Sequence, residues 1–192
     1  MRSSRLAATI LVATAVASCI MTLSCAKSAP EMAAAPTPDP VVRGRYLVTI
    51  MSCNDCHTPG YFYGASDTMR RLSGSDLGWV GPWGVVHARN LTPDSTTGIG
   101  KWSKEQIVEA LLTGHTADGA QLAPIMPWMN YSGVLDPDDA MAIASYLKTL
   151  PPVTHKNLDR IPPKGKPTGA LVMFPPPPQW DVPAPPPSGA AK

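Results

Sequence analysis

The stretch Cys53-Asn54-Asp55-Cys56-His57 decides how the rest of this 192-residue chain is interpreted. It has the pattern C-x-x-C-H, through which c-type haem is attached to protein. When the segment is helical, the two thiols are spaced to form thioethers with the two haem vinyl groups. His57 follows directly, which places its imidazole under the iron as the proximal ligand. The motif therefore predicts one covalent haem c held by Cys53, Cys56 and His57.

A zinc half-site and a redox-active pair of cysteines are the alternatives for this motif. A Cys-Cys-His zinc site would need a fourth ligand, and the other two cysteines, Cys19 and Cys25, lie in a targeting segment. A redox pair gives no reason for the adjacent histidine. We therefore favour haem.

Residues 1–24 have the pattern of a secretory signal peptide, with basic residues up to Arg5 and an apolar stretch over residues 6–17. The alternative is an uncleaved anchor helix over residues 6–23. Export agrees with the haem motif, because c-type haem is attached outside the bacterial cytoplasm. We predict a periplasmic location.

Cys19 and Cys25 both resemble the modified cysteine of a bacterial lipoprotein. The residues before Cys19 fit the expected motif better, but Cys25 is followed by a more typical flexible start, Ala-Lys-Ser-Ala-Pro. We predict a lipid anchor at Cys25, with Cys19 as the alternative and an ordinary signal peptide as a third reading. Residues 25–40 then form an Ala/Pro tether.

The net charge excludes one class of partner. The sequence has 16 Lys and Arg and 14 Asp and Glu, and removal of residues 1–24 takes away Arg2 and Arg5, leaving 14 of each sign. A nearly neutral mature chain does not indicate nucleic-acid binding. We expect redox proteins as partners, possible classes being a dehydrogenase or a terminal oxidase, together with a membrane reached through the lipid anchor.

Proline content separates a compact domain, residues 41–152, from a Pro-rich tail, residues 153–192. Such a tail favours extended conformations and cannot form a helix or a central strand. We expect it to be disordered. The alternative is that it wraps the domain and is anchored by Leu171, Val172, Phe174 and Trp180.

Periodicity and capping signals predict three helices in the domain. The first runs from about Val41 into the haem motif, with an apolar face formed by Val42, Tyr46 and Ile50, beside which Gly44 would admit another helix. The second begins after Ser103, whose capping-box partner is Gln106, and ends at Gly114. The third begins after Asp136, with Pro137 at its first position, and ends at Pro151-Pro152. Residues 58–102 are expected to form a long loop, with short strands around residues 84–87.

The sixth iron ligand has four candidates: Met126, Met129, His87 and His115. Met126 is the strongest, because it lies between Pro124 and Pro127 in a stiff segment that cannot be regular helix. A thioether also suits both oxidation states of the iron and raises its potential relative to a second histidine.

The sequence resembles the class I cytochrome c superfamily, and more narrowly the cytochrome c domains of bacterial alcohol, aldehyde and gluconate dehydrogenase cytochrome subunits. The stretches that carry this resemblance cover most of residues 42–152: Gly44-Arg45-Tyr46-Leu47, Cys53 to Pro59, Asn90-Leu91-Thr92-Pro93-Asp94, Thr97 to Ser103, Met126-Pro127-Trp128 and Ala144-Ser145-Tyr146-Leu147-Lys148. Those subunits usually carry several haem domains, whereas this chain has one C-x-x-C-H motif.

The resemblance implies a small all-α fold of three or more helices around the haem. Its first and last helices would cross near Gly44, Tyr46 and Tyr146. It also implies that Met126 is the axial ligand, and that Arg89, Asn90 and Trp102 lie near the haem edge or its propionates.

Together these features predict a periplasmic monohaem cytochrome c that is an electron carrier and not an enzyme. His57 and Met126 would ligate the iron, and single electrons would pass between redox partners. One alternative is a haem enzyme or gas sensor with an open or displaceable sixth ligand, in which Arg89 or His115 would face the iron. Another is a fixed haem subunit of a larger oxidoreductase.

Overall fold

The protein is described here by a computed structural model that covers residues 38–173. Within that range it has five α-helices and three β-strands: α1 (Pro40–Ile50), α2 (Cys53–His57), β1 (Gly78–Gly81), β2 (Gly84–His87), α3 (Lys104–Thr113), α4 (Trp128–Tyr131), α5 (Pro137–Leu147) and β3 (Leu171–Met173). The predicted signal peptide and lipidated cysteines lie outside these residues, as do most of the tether and the tail from Phe174 onward.

The prediction of an all-α fold is wrong, because the described residues contain a three-stranded mixed sheet. β1 and β2 form an antiparallel hairpin in which Trp79 pairs with Val86. β3 pairs with the other edge of β1 in parallel, with Trp79 opposite Val172, so the strand order is β2-β1-β3. The strands have only three or four residues each, which is too short for a clear period-two pattern.

The first and last helices of the domain cross at a glycine. A Cβ at Gly44 would overlap the carbonyl group of Ala142 and would lie 2.8 Å from the Cβ of Tyr146. Next to this contact, Nε and Nη2 of Arg43 donate hydrogen bonds to Oδ1 and Oδ2 of Asp139, at 2.8 and 2.7 Å. The predicted close approach at Gly44 is therefore present between α1 and α5.

The buried face of α1 differs from the prediction. Val42, Tyr46 and Ile50 are 63%, 54% and 56% exposed, whereas Gly44, Leu47 and Val48 are buried. The apolar residues of α1 surround the helix on several sides, so their spacing alone does not select a face. Gly44 selects it, because only the glycine side allows the backbone of α5 to approach.

Three other predicted helix boundaries depend on local signals and are observed, whereas α5 ends at Leu147, before the predicted end at Pro151-Pro152. Gln106 N donates to Ser103 Oγ, and Ser103 N donates to the side chain of Gln106, which completes the capping box of α3. Gly114 ends α3 in the left-handed conformation, at φ 74°. Asp136 Oδ1 accepts a hydrogen bond from Asp138 N at the start of α5.

The hydrophobic core is formed by α1, α3 and α5, with two residues from the loops between them. We call this set the core cluster: Leu47, Val48, Leu72, Ile99, Ile107, Leu111, Ala140, Ile143, Ala144, Tyr146 and Leu147. Full burial of a leucine, isoleucine or valine side chain stabilises a domain by about 1.5–3 kcal/mol relative to leaving that side chain exposed.

Residues 153–173, which we call the strap, pack against the domain. Ile161 and Val85 exchange backbone hydrogen bonds of 2.8 and 3.0 Å, and Gly78 N donates to Ala170 O at 2.9 Å. The expectation of disorder is therefore wrong for this part of the tail. Leu171 and Val172 attach it to the domain, as the alternative of a wrapping tail predicted. β3 is an edge strand, where a Pro-rich chain can still pair.

Among residues 38–173, none of the helices has the length and apolar character needed to cross a membrane.

Candidate haem-binding site

The helix α2 carries the C-x-x-C-H motif and is separate from α1. The prediction of one continuous helix is wrong at Ser52, which adopts a left-handed conformation with φ 57°. This break ends α1 after Ile50 and starts α2 at Cys53. Cys53 and Cys56 are three residues apart on α2, so their side chains lie on the same side of the helix. Cys53 also packs against the core cluster.

His57 is oriented by a backbone carbonyl. Its Nδ1 lies 2.7 Å from the carbonyl oxygen of Arg89. A carbonyl can only accept, so Nδ1 must carry the hydrogen, and Nε2 of the neutral ring is left with a lone pair. Burial lowers the pKa of His57, which favours that neutral form. A neutral imidazole whose second nitrogen donates to a carbonyl is the usual arrangement of a metal-ligating histidine.

The two thiols do not have the character of a redox pair. Both cysteines are free. Burial is the main cause that raises the pKa of Cys53 to about 11, and burial also raises the pKa of Cys56. Redox-active C-x-x-C pairs have thiols with lowered pKa values. The surroundings of Cys53 and Cys56 therefore disfavour this alternative.

A zinc site receives no support from the described residues either. Between residues 38 and 173, no group of three or more His, Cys, Asp or Glu side chains is arranged to hold a metal ion.

The donor set and its surroundings fit haem c. Two free thiols and a histidine with an available Nε2 lie on one short helix, beside apolar side chains. Burial first, and then the neighbouring Cys53 and Cys56, raise the pKa of Tyr131 in α4 to about 12. Like Cys53, the side chains of Tyr131, Met126, Leu91 and Trp102 pack against the core cluster.

The candidates for the sixth ligand occupy different surroundings. Met126 is half-buried and packs against the core cluster, as Cys53 does. Met129 is 51% exposed. His115 is exposed, and its Nδ1 lies 3.3 Å from Thr113 Oγ1. His87 is buried within the sheet, where a Cβ at Gly78 would lie 3.1 Å from its Nε2.

The residues placed near the haem by resemblance have distinct roles in the structure. Arg89 contributes its carbonyl group to His57. Asn90 is 1% exposed, and its Nδ2 donates to Thr97 Oγ1 and Val153 O, so its side chain holds loops together. Trp102 packs against the core cluster, and its carbonyl accepts a hydrogen bond from Lys148 Nζ.

Tyr131 and His155 were missed by the sequence reasoning. Tyr131 lies in a helix of only four residues, α4, which has no usable periodicity. His155 was given no role, yet its Nδ1 donates to the carbonyl of Ser73 at 2.9 Å. The polar run Thr154-His155-Lys156-Asn157 interrupts the Pro-rich tail and is a local signal of a packed segment there, besides the anchors Leu171 and Val172.

The known proteins that are similar to this chain include cytochromes and cytochrome subunits. The fructose dehydrogenase cytochrome subunit of Gluconobacter japonicus is 36% identical over 120 residues, which are 62% of this chain and 23% of that protein. The gluconate 2-dehydrogenase cytochrome c subunit of Pantoea cypripedii is 32% identical over 119 residues, 62% of this chain and 25% of that protein. A diheme cytochrome c-type protein of Cereibacter sphaeroides is 37% identical over 116 residues, 58% of this chain and 36% of that protein.

The chain thus spans about a quarter of the length of the two dehydrogenase subunits that it matches. A search against models of protein families found no match. The predicted resemblance is confirmed: this chain is similar to the cytochrome c subunits of bacterial dehydrogenases.

Proposed function

We propose that this protein is a monohaem c-type cytochrome that transfers single electrons in the bacterial periplasm. Cys53 and Cys56 would hold the haem through thioethers, with His57 as the proximal ligand and Met126 as the distal one. When bound, the haem supplies an iron centre that changes its charge by one electron. The chain itself provides ligands, orientation and an apolar environment.

The observation that carries this proposal is the 2.7 Å hydrogen bond between His57 Nδ1 and the Arg89 carbonyl. It fixes the tautomer in which Nε2 can bind a metal, on the same short helix as two free thiols. Such a bond also raises the basicity of the ligating nitrogen. A histidine with a purely structural role in this position would not require the two adjacent cysteines.

Met126 is proposed as the distal ligand because of its surroundings and its neighbours in sequence. The side chain packs against the core cluster, to which Cys53 also packs. Pro124 and Pro127 restrict the backbone on both sides. If His57 and Met126 both ligated the iron, no ligand position would be left for a substrate, so the chain would act as a carrier and not as an enzyme.

The proposal also includes an electron donor for the protein and its location in the cell. The similar proteins are cytochrome subunits of dehydrogenases, and we propose a dehydrogenase as electron donor on this ground. We propose a periplasmic location because of the signal-like residues 1–24, and attachment to a membrane through lipid on Cys25 or Cys19.

Covalent attachment of the haem is the direct test. The protein should be expressed with its export signal in a bacterium that matures c-type cytochromes. Haem should then stay with the wild-type polypeptide through acid–acetone extraction and denaturing electrophoresis. The double variant Cys53→Ala/Cys56→Ala should lose it. The matched control is Thr49→Ala, which changes a nearby exposed residue that carries no thiol. Haem that extracts freely from the wild type would contradict the proposed function.

A further inference from the structure

We propose that the strap positions His57, so that residues far along the chain adjust the iron ligand that the motif supplies. This inference rests on the proposed function, because it concerns the ligand role of His57. The strap contacts both backbone segments to which His57 is hydrogen-bonded. One segment contains Ser73 and Gly74, and the other contains Arg89 and Asn90.

The first connection runs through Ser73 and Gly74. Gly74 N donates a 2.7 Å hydrogen bond to the carbonyl of His57. On the other side of the same turn, the carbonyl of Ser73 accepts hydrogen bonds from His155 Nδ1 at 2.9 Å and from Asn157 Nδ2 at 3.5 Å. Asn157 is only 5% exposed. A Cβ on Gly74 would collide with the side-chain amide of Asn157, so the strap packs directly against this turn.

The second connection runs through Asn90. Arg89 provides the carbonyl that orients the His57 ring, and the buried side chain of the next residue, Asn90, donates to Val153 O at 2.8 Å. Thr92 reinforces the contact, because Val153 N donates to its Oγ1 at 3.1 Å. The start of the strap therefore holds the segment that sets the position of the Arg89 carbonyl.

The hydrogen bonds of both connections are buried or half-buried, and each joins one donor to one backbone carbonyl or hydroxyl group. Removal of one partner leaves the other unpaired in a region with little water, which costs about 1–3 kcal/mol and favours a local shift. A shift of either segment changes the hydrogen bond at His57 Nδ1. Because that bond makes the imidazole a stronger donor to iron, its weakening would disfavour the ferric state and raise the reduction potential.

The test compares variants of the haem-loaded, full-length protein. His155→Ala, Asn157→Ala and the double variant remove the contacts to Ser73. Arg160→Ala is the matched control, since Arg160 Nη2 also donates to a backbone carbonyl from within the strap, that of Trp83 at 3.1 Å, but it contacts neither segment next to His57. His155→Gln retains an N–H donor and is the rescue variant.

Two readouts separate positioning from plain stability. The first is the reduction potential. The ratio of ferric to ferrous protein at a fixed potential should fall in the double variant, by roughly tenfold or less. Loss of a group that contacts a metal ligand directly changes metal affinity or activity by about 10–100-fold, and His155 and Asn157 act one step further from the ligand. The second is the solvent exchange rate of the His57 Nδ1 proton in the ferrous state, measured by NMR, which should increase severalfold.

We expect His155→Gln to restore most of both values and Arg160→Ala to leave both at the wild-type level, even if every variant unfolds at a lower temperature. Equal potentials and equal exchange rates in the wild type, the double variant and Arg160→Ala would overturn the inference while leaving the haem protein intact. Equal shifts in the double variant and Arg160→Ala would also overturn it, since the effect would then be general loosening of the strap. Failure of the proposed function is a different result, a wild type without covalent haem.

Discussion

Gly44 in α1 lies directly against the backbone carbonyl of Ala142 in α5, with no room for a side chain between them. The helix that leads to the haem motif and the last helix of the domain are therefore held at a distance that only glycine permits.

Replacement of Gly44 by alanine should destabilise the protein strongly. The added methyl group would overlap the Ala142 carbonyl. The backbone of a helix cannot move aside as a flexible side chain can, so the overlap would not be relieved locally. We expect a loss of about 3 kcal/mol in the free energy of unfolding, the upper part of the usual range for overpacking. Urea titration measures it. Val42→Ala is the control, because Val42 is exposed on the same helix, and it should stay within about 0.5 kcal/mol of the wild type. Equal stability of Gly44→Ala and wild type would contradict the observed crossing.

Replacement of Met126 by alanine should open the iron and lower its potential. With His and Met ligands, ferric haem has a weak sulfur-to-iron absorption band in the near infrared, and ferrous haem resists binding of carbon monoxide. Met126→Ala should abolish the band, allow carbon monoxide to bind and lower the reduction potential, because the thioether no longer favours the ferrous state. Optical spectra and a redox titration measure these changes.

Met129→Ala is the control for this experiment, because the side chain of Met129 is half-exposed. It should leave the band, the resistance to carbon monoxide and the potential nearly unchanged. A large effect of Met129→Ala would transfer the ligand role to that residue. A wild type that binds carbon monoxide readily and lacks the band would instead favour the haem enzyme or gas sensor.

Asp94 should make the stability of the fold depend on pH in the acid range. Its pKa is held well below the ordinary value of 3.8, first by the hydrogen bond from the Thr96 hydroxyl and then by those from Thr97 and Thr154. A lowered pKa in the folded state means that the ionised group stabilises the fold above pH 3.8, and that this stabilisation is lost as the pH falls below it. Asp94→Asn should therefore lower the melting temperature at pH 7.

The difference in melting temperature between wild type and Asp94→Asn should shrink as the pH falls below about 3.8, because Asp94 of the unfolded chain then takes up a proton while the folded carboxylate is still ionised. The stabilisation is fully lost only at the lower pH at which the folded carboxylate is protonated too. Thermal denaturation followed by circular dichroism at several pH values measures it. Thr154→Val removes only the hydrogen bond to Asp94 Oδ2 and should produce a smaller effect of the same kind. A difference that stays constant from pH 7 to pH 2 would exclude this role of Asp94.

Lipid attachment at Cys25 should hold the mature protein on a membrane. Stable anchoring by acyl chains requires more than one chain, as a lipidated N-terminal cysteine would provide. Mass spectrometry of the mature N terminus should find Cys25 with lipid, and Cys25→Ser should release the protein into the soluble fraction while Cys19→Ser does not. Release by Cys19→Ser alone would move the anchor to Cys19. An unmodified terminus beyond Cys25 would exclude the anchor and leave the haem proposal intact.

The features that the sequence determined by itself are those whose interactions are local along the chain. The capping box of Ser103 and Gln106 joins residues three positions apart, and Gly114 ends its helix through its own backbone freedom. The C-x-x-C-H motif likewise contains its donors within five consecutive residues. Hydrogen bonds and torsion angles of this kind are set by immediate neighbours, so a pattern of residue types is enough to predict them.

Other features were decided only by tertiary structure, because their partners are distant in sequence. The spacing of Val42, Tyr46 and Ile50 indicated a buried face, but the backbone of α5 can approach α1 only at Gly44, and this contact turned those side chains outward. β3 is a strand because the edge of β1 is available to it, although its own residues lie in a Pro-rich tail. His155 meets the Ser73 carbonyl across 82 positions of sequence. No local periodicity encodes such a pairing, because its free energy comes from groups that only the folded chain brings together.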